Sequence, residues 1–92
     1  MNLEEELLAS EHIKAKCKAS ENYSRDVYGA MCNTSWYKNG EEWSCSFREA
    51  GGIVADLNDA GTYNTWYCSG NEGVVTDEVR ADFLQLGWRT EQ

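Results

Sequence analysis

The sequence predicts an α+β fold in which one antiparallel sheet packs against helices. Three observations support this class: apolar residues at helical spacing near the N-terminus, a strong hairpin signal at Asn39-Gly40, and a C-terminal stretch with helix start and stop signals. The 92 residues, of which 41% are hydrophobic, suffice for one core and not for two. Residues 1–92 are therefore predicted to form a single compact domain.

The first predicted element is a helix from Asn2 to about Ala19. Glutamates near its start and lysines near its end suit the helix dipole. Residues 20–31 fit a strand or a short helix that begins near Ser24, and intervals of four between apolar residues favour the helix. The face predicted for the first helix comprises Leu3, Leu7, Ser10, Ile13, Lys14 and Cys17.

The middle of the chain is predicted to be a β-meander. A two-residue Asn39-Gly40 turn places Lys38 opposite Glu41 and Trp36 opposite Trp43, and both pairs are favourable across strands. Alternation of apolar and polar residues extends the second strand to residue 47. Gly51-Gly52 then reads as a break, followed by a third strand at 52–57 and a fourth at 62–68. The sheet is thus predicted to have three to four antiparallel strands.

The last predicted element is a short helix with ordinary ends. Thr76 is its expected cap, and Asp77 and Glu78 suit the first turn. Gly87 favours a left-handed stop, after which Trp88 can pack back on the last turn.

Charge and composition exclude several functions. Sixteen acidic residues against eight basic ones give a net charge of -8, so we expect no binding of free nucleic acid at physiological salt. No apolar run approaches the roughly 20 residues that a membrane span requires. Three consecutive glutamates stand near the start, where a secretory signal carries Lys or Arg. We therefore expect a cytoplasmic protein with reduced cysteines, although four cysteines would permit two disulfides in an oxidising compartment.

The sequence offers no convincing catalytic, cofactor or metal site. His12 is the single histidine and has no cysteine at helical spacing from it. The four cysteines lack the close pairs that are typical of structural zinc sites. The segment from Asp56 to Gly61 resembles the opening of a calcium loop, but its fifth and twelfth positions lack ligands. We expect no enzyme activity, no cofactor and no small-molecule substrate, and instead a protein that binds a partner.

The chain as a whole resembles phage anti-CRISPR proteins directed against type I-F systems. The resemblance comprises its size, its acidity, the start MNLEEELLAS and the run from Gly40 to Trp88, and not a shared motif. It implies an inhibitor that acts in the cytoplasm of the infected bacterial host. The implied partner is a multi-subunit surveillance complex, formed by protein backbone subunits and a guide RNA. The implied effect is that target DNA cannot hybridise.

Two modes of contact are open. Carboxylates, for example Glu41 and Glu42, could imitate DNA phosphates on the basic channel that holds the guide–target duplex. Alternatively, basic and amide groups could contact the guide RNA. The alternative functions are a small acidic phage or bacterial regulator that binds another host protein, and a small RNA-binding module. The candidate RNA-contacting residues are Lys14, Lys18, Arg25, Asn33, Lys38 and Asn39.

Overall fold

The computed structural model describes residues 2–59 and 75–92, without the side chain of Asn33. These ranges form an α+β domain with five helices and one two-stranded antiparallel sheet, as the sequence predicts at the level of fold class. The predicted fourth strand at 62–68 lies outside the described residues. The elements in chain order are α1 (Leu3–Ala9), α2 (Glu11–Ala19), α3 (Glu21–Asn33), β1 (Trp36–Lys38), β2 (Glu41–Trp43), α4 (Phe47–Asn58) and α5 (Asp77–Gln85).

The predicted N-terminal helix is interrupted at Ser10. This residue has extended backbone angles, and its side chain accepts a hydrogen bond from the Ile13 N–H, so that it caps α2. Serine competes for backbone groups in this way, which weakens it inside a helix and favours it at a cap. Ser20 caps α3 in the same manner. The helix favoured for this segment is confirmed, but it begins before Ser24, whose side chain is buried.

The predicted hairpin is confirmed. Trp36 pairs with Trp43 and Lys38 pairs with Glu41, and positive φ angles of 53° at Asn39 and 81° at Gly40 form the primed turn. The other edge of β1 meets the C-terminal segment. There the Tyr37 N–H donates to the Arg89 carbonyl at 2.7 Å, and the Arg89 N–H donates back at 3.0 Å.

The segment after Trp43 is helical, so the predicted extension of the second strand to residue 47 and the predicted third strand at 52–57 are both wrong. Ser46 accepts from the Glu49 N–H while the Glu49 side chain accepts from the Ser46 N–H, and this capping box starts α4. Gly51-Gly52 lies inside the helix and does not break it. A meander of three to four strands is not confirmed. The buried apolar side chains of α4 follow helical spacing: Ala50, Ile53, Val54 and Leu57.

The C-terminal helix has the predicted ends. Thr76 caps α5 through the Val79 N–H. Gly87 has φ 91°, and hydrogen bonds from the Gly87 N–H to Leu84 and from the Trp88 N–H to Phe83 complete a Schellman motif. Trp88 is 1% exposed and returns to the core.

One apolar core joins the elements. Its largest side chains include Trp36 and Phe83, which meet edge to face at 4.7 Å between ring centroids. Helices α1 to α4 contribute aliphatic side chains to this core, and α5 contributes Val79 and Phe83. Within the described ranges, no helix has the length and apolar content needed to cross a bilayer.

Candidate partner-binding surface

The four basic residues predicted to contact a guide RNA are all in ion pairs within the chain. Lys14 and Lys18 lie on α2, Arg25 lies on α3 and Lys38 ends β1. Each basic group therefore has a carboxylate close by, and none presents an isolated positive charge. The nitrogen–oxygen distances are 3.8 Å for Lys14–Glu11, 2.7 Å for Lys18–Asp59, 3.1 Å for Arg25–Glu21 and 2.7 Å for Lys38–Glu6.

Lys38 is the most constrained of these residues. Its Nζ donates to a Glu6 carboxylate oxygen at 2.7 Å and to the Leu86 carbonyl at 2.6 Å, and lies 5.7 Å from the centre of the Trp88 ring. The second oxygen of the Glu6 carboxylate accepts from the Trp88 indole N–H. We call Glu6, Lys38, Leu86 and Trp88 the Lys38 cluster. It ties the hairpin to α1 and to the end of α5, which gives Lys38 a structural role.

Three of the remaining predicted contact residues, Asn39, Glu41 and Glu42, have exposed positions. Asn39 forms the turn, and Glu41 and Glu42 begin β2 with exposed side chains. Successive strand residues point to opposite faces, so the two carboxylates diverge. Among the described residues, neither has an ion-pair partner within 4 Å. Asn33 is the last residue of α3.

A cleft with acidic walls lies between α1, the end of β2 and α4. Its volume is about 330 Å³, and the half-buried Trp43 forms part of its wall. The carboxylates of Glu4, Glu49 and Asp56 line it, and they too have no cation within 4 Å in the part of the chain that is described. We call this feature the acidic cleft. The cleft could not be predicted from the sequence pattern, because it depends on α4, a segment whose pattern indicated strands.

A second polar cluster surrounds Asp82, a buried residue of α5. The Asp82 side chain is 6% exposed. It accepts hydrogen bonds from the Tyr23 hydroxyl and the Lys16 Nζ, both at 2.7 Å. The His12 Nε2 lies 3.2 Å from its other oxygen. We call His12, Lys16, Tyr23 and Asp82 the Asp82 cluster. It joins α2, α3 and α5 through one carboxylate.

The Asp82 cluster has one fixed pattern of protonation at neutral pH. Burial raises the pKa of the Asp82 carboxyl, but hydrogen bonds from Lys16, Tyr23 and His12 outweigh burial and bring that pKa below its ordinary value. Burial, followed by the hydrogen bond to Asp82, raises the pKa of the Tyr23 hydroxyl. The hydrogen bond to Asp82 also raises the pKa of Lys16. At neutral pH the Asp82 carboxylate is thus ionised, and its donors Lys16 and Tyr23 stay protonated. The cluster is therefore suited to holding α2, α3 and α5 together.

Two of the thiols are poor nucleophiles. Burial raises the pKa of Cys17 to about 11 and that of Cys45 to about 12, so few of these thiols are ionised at neutral pH. Cys17 and Cys45 are free cysteines. Residues 2–59 and 75–92 contain no group of three or more acidic, histidine or cysteine side chains placed to hold a metal ion.

Comparison of the chain with protein-family models, with curated proteins and with solved structures finds no match in any of the three. The function is therefore argued from the distribution of charge on this chain.

Proposed function

We propose that this chain is a binding protein and not an enzyme. In this proposal it is an anti-CRISPR inhibitor that occupies the guide-RNA surveillance complex of a type I-F system in the cytoplasm of an infected bacterium. The observation that carries the proposal is the asymmetry of the surface charge. The lysines of the described ranges are all in ion pairs and three arginines are not, whereas four exposed carboxylates of the hairpin and the acidic cleft have no cation within 4 Å there: Glu41, Glu42, Glu49 and Asp56.

The asymmetry suits a basic partner. A surveillance complex holds its guide–target duplex in a positively charged channel through contacts to the phosphate backbone. A ligand with net charge -8 is attracted to such a channel, and its unpaired carboxylates can take positions meant for DNA phosphates. Bound there, it would keep target DNA from hybridising with the guide.

The ion pairs also favour one of the two modes of contact. To contact a guide RNA, Lys38 would have to leave Glu6 and the Leu86 carbonyl in a site where its side chain is only 26% exposed. The exposed pairs of Lys14, Lys18 and Arg25 are weaker, at roughly 0–1 kcal/mol each. Lys38 is therefore the least available of these residues for contact with RNA. We propose phosphate mimicry by carboxylates as the mode of contact.

The experiment is a binding measurement on the assembled complex, made by biolayer interferometry with purified subunits and guide RNA. Charge reversal in Glu41→Lys with Glu42→Lys should weaken binding at least tenfold. Neutralisation in Glu4→Gln with Asp56→Asn should weaken it less, because it removes charge without adding repulsion. Lys14→Glu with Lys18→Glu should have little effect. Circular dichroism confirms that each variant is folded.

A matched control separates local contact from net charge. Glu11→Gln with Asp77→Asn removes two exposed charges at the starts of α2 and α5, on residues that line neither the acidic cleft nor the cleft beside the hairpin turn. This control should bind nearly as well as the wild type. If it loses as much affinity as the acidic-cleft variant, the carboxylates act only through net charge. If the lysine variant is the weakest binder, guide-RNA contact replaces phosphate mimicry.

A pull-down from bacterial lysate tests the assignment itself. Recovery of the surveillance complex with its guide RNA is the expected result, and binding should disappear with isolated subunits because the channel exists only in the assembly. Recovery of a different protein without the complex would identify the chain as a regulator of another process.

A further inference from the structure

Two guanidinium groups without a carboxylate partner lie together near the C-terminus. Arg80 on α5 and Arg89 after it line a shallow cleft of about 240 Å³ with Leu84, Thr90 and Glu91. Neither guanidinium has a carboxylate oxygen within 4 Å among the described residues, Glu91 included. This cleft, which we call the arginine cleft, therefore differs from the sites of the lysines, all of which are paired.

Regular backbone fixes both arginines. Arg80 lies one helical turn before Leu84, and its Nη1 donates to the Thr90 hydroxyl at 3.3 Å. Arg89 is held by its two backbone hydrogen bonds to Tyr37. The backbone positions of both arginines are thus set by α5 and by the edge of the hairpin sheet. The backbone there therefore loses little conformational freedom when a ligand binds.

Arg89 also belongs to the neighbouring cleft. That cleft has a volume of about 430 Å³, and the half-buried Tyr37 and the backbone around Gly40 and Gly87 form part of its wall. Arg89 therefore shares one cleft with the Arg80 guanidinium and the other with the aromatic side chain of Tyr37.

We propose that this surface binds a single-stranded nucleic acid, with two neighbouring phosphodiesters at the arginine cleft, one for each guanidinium, and the adjacent base against Tyr37. Guanidinium groups match phosphate oxygens with paired donors, and the Thr90 hydroxyl adds another polar group. Base stacking on an aromatic ring beside a positively charged groove is how single strands are bound without sequence preference. An acidic peptide would use the arginines but would leave the Tyr37 ring without a planar partner. The inference stands apart from the proposed inhibitor function, since it depends on these residues alone.

The acidity of the chain limits the affinity for a free strand. The net charge of -8 and the Glu91 carboxylate in the wall of the arginine cleft both repel phosphate. With about two phosphate contacts, a tenfold rise in salt should lower the association constant about 25-fold for a single strand. Binding should therefore be measurable at low salt and lost at physiological salt.

The test is a nuclear magnetic resonance titration of the ¹⁵N-labelled full chain with a short single-stranded oligouridylate at low salt. The expected result is saturable shifts at the Arg80 and Arg89 side-chain Nε–H signals and at Tyr37. Arg80→Gln or Arg89→Gln should reduce the salt dependence by about half. Tyr37→Leu should weaken binding without changing that salt dependence. Glu91→Gln should tighten binding.

The matched control is Arg48→Gln on α4, because Arg48 is exposed and has no ion-pair partner in the described ranges. It should leave the titration unchanged. Absence of shifts at the arginine cleft, or an equal loss from Arg48→Gln, would overturn the inference. Equal shifts with a polyglutamate peptide would overturn it in favour of an acidic protein ligand. Each of these outcomes leaves the proposed binding to a surveillance complex to be judged by its own measurement.

Discussion

The Asp82 cluster and the Lys38 cluster are two solutions to placing charge inside a small domain. In the first, an anion on α5 is 6% exposed and receives donors from two other helices. In the second, the central cation is 26% exposed and shares its protons between a carboxylate and a backbone carbonyl. A charge that is more deeply buried depends more on its partners, because it cannot be solvated when one of them is removed. The two clusters should therefore differ in how much stability their loss removes.

The largest effect is expected from Asp82→Ala. The truncation leaves the Tyr23 hydroxyl without its acceptor and the Lys16 ammonium with Glu78 alone, and breaking a buried pair costs about 3–5 kcal/mol. Urea denaturation should show a loss of this order in the free energy of unfolding. Gln85→Ala, an exposed change on the same helix, should stay within about 0.5 kcal/mol of the wild type. Similar values for both variants would mean that the cluster does not stabilise the fold.

Acid should lower the contribution of the same cluster to the free energy of unfolding, by less than Asp82→Ala does. The pKa of the Asp82 carboxyl is lower in the folded chain than in the unfolded chain, so its contribution is complete above the unfolded pKa of about 3.9. That contribution is lost as the pH falls through the folded pKa. A protonated carboxyl still fills the site, so the loss should be less than that caused by Asp82→Ala.

The comparison variant for the measurements at acidic pH is Asp82→Asn, because its side chain cannot ionise. Between neutral pH and the acid limit, the stability difference between wild type and this variant should shrink. Urea midpoints of both proteins, measured at several pH values, follow that difference. The contributions of the other carboxylates are common to both proteins and cancel in it. A constant difference would show that the Asp82 pKa is not lowered by folding.

A moderate effect is expected from Lys38→Met. The change keeps the apolar stem but removes the hydrogen bond to Leu86 and the pair with Glu6, at a cost of about 1–2 kcal/mol. Lys14→Met, whose pair with Glu11 spans 3.8 Å at the surface, should cost less than about 0.5 kcal/mol. A double-mutant cycle with Glu6→Gln measures the coupling. A Lys38→Met cost as large as that of Asp82→Ala would remove the distinction between the two clusters.

The smallest effect, with opposite sign, is expected from Gly52→Ala, which touches neither cluster. Gly52 lies inside α4, and a Cβ built there meets no atom within 4 Å. Alanine should stabilise the helix by about 0.5–1 kcal/mol. Thermal unfolding should show a higher midpoint. A lower midpoint would contradict the helical assignment of this segment.

Elements that adjacent residues encode could be predicted from the sequence, whereas the two clusters could not. The hairpin and α5 are encoded by adjacent residues: Asn39-Gly40 at the turn, Thr76 at the cap and Gly87 at the stop. Helix α4 had an equally local signal in the capping box of Ser46 and Glu49, but alternation over residues 43–47 and the two glycines pointed to strands. The correct signal was the helical spacing of the apolar residues that follow.

The clusters themselves could not be predicted from local pattern. Asp82 falls between Val79 and Phe83 on the buried face of α5, and an acidic residue at that position requires buried donors. The sequence does not say which donors are used, because they lie 59 to 70 residues earlier in the chain. The same separation hides the ion pair of Lys38 with Glu6, 32 residues apart. For this reason the sequence alone does not show that Lys38 is paired.

That separation has a consequence for synthesis on the ribosome. Helices α2 and α3 leave the ribosome long before Asp82 is translated, and the Trp88 indole that meets Glu6 follows 82 residues after it. Until then, Lys16 and Tyr23 face a site with no anion, and the N-terminal helices rely on apolar contacts and on earlier polar contacts such as that of Lys18 with Asp59. We expect the chain to become protease-resistant only after Asp82 and Trp88 have left the ribosome, so that these residues complete a structure that the N-terminal helices begin.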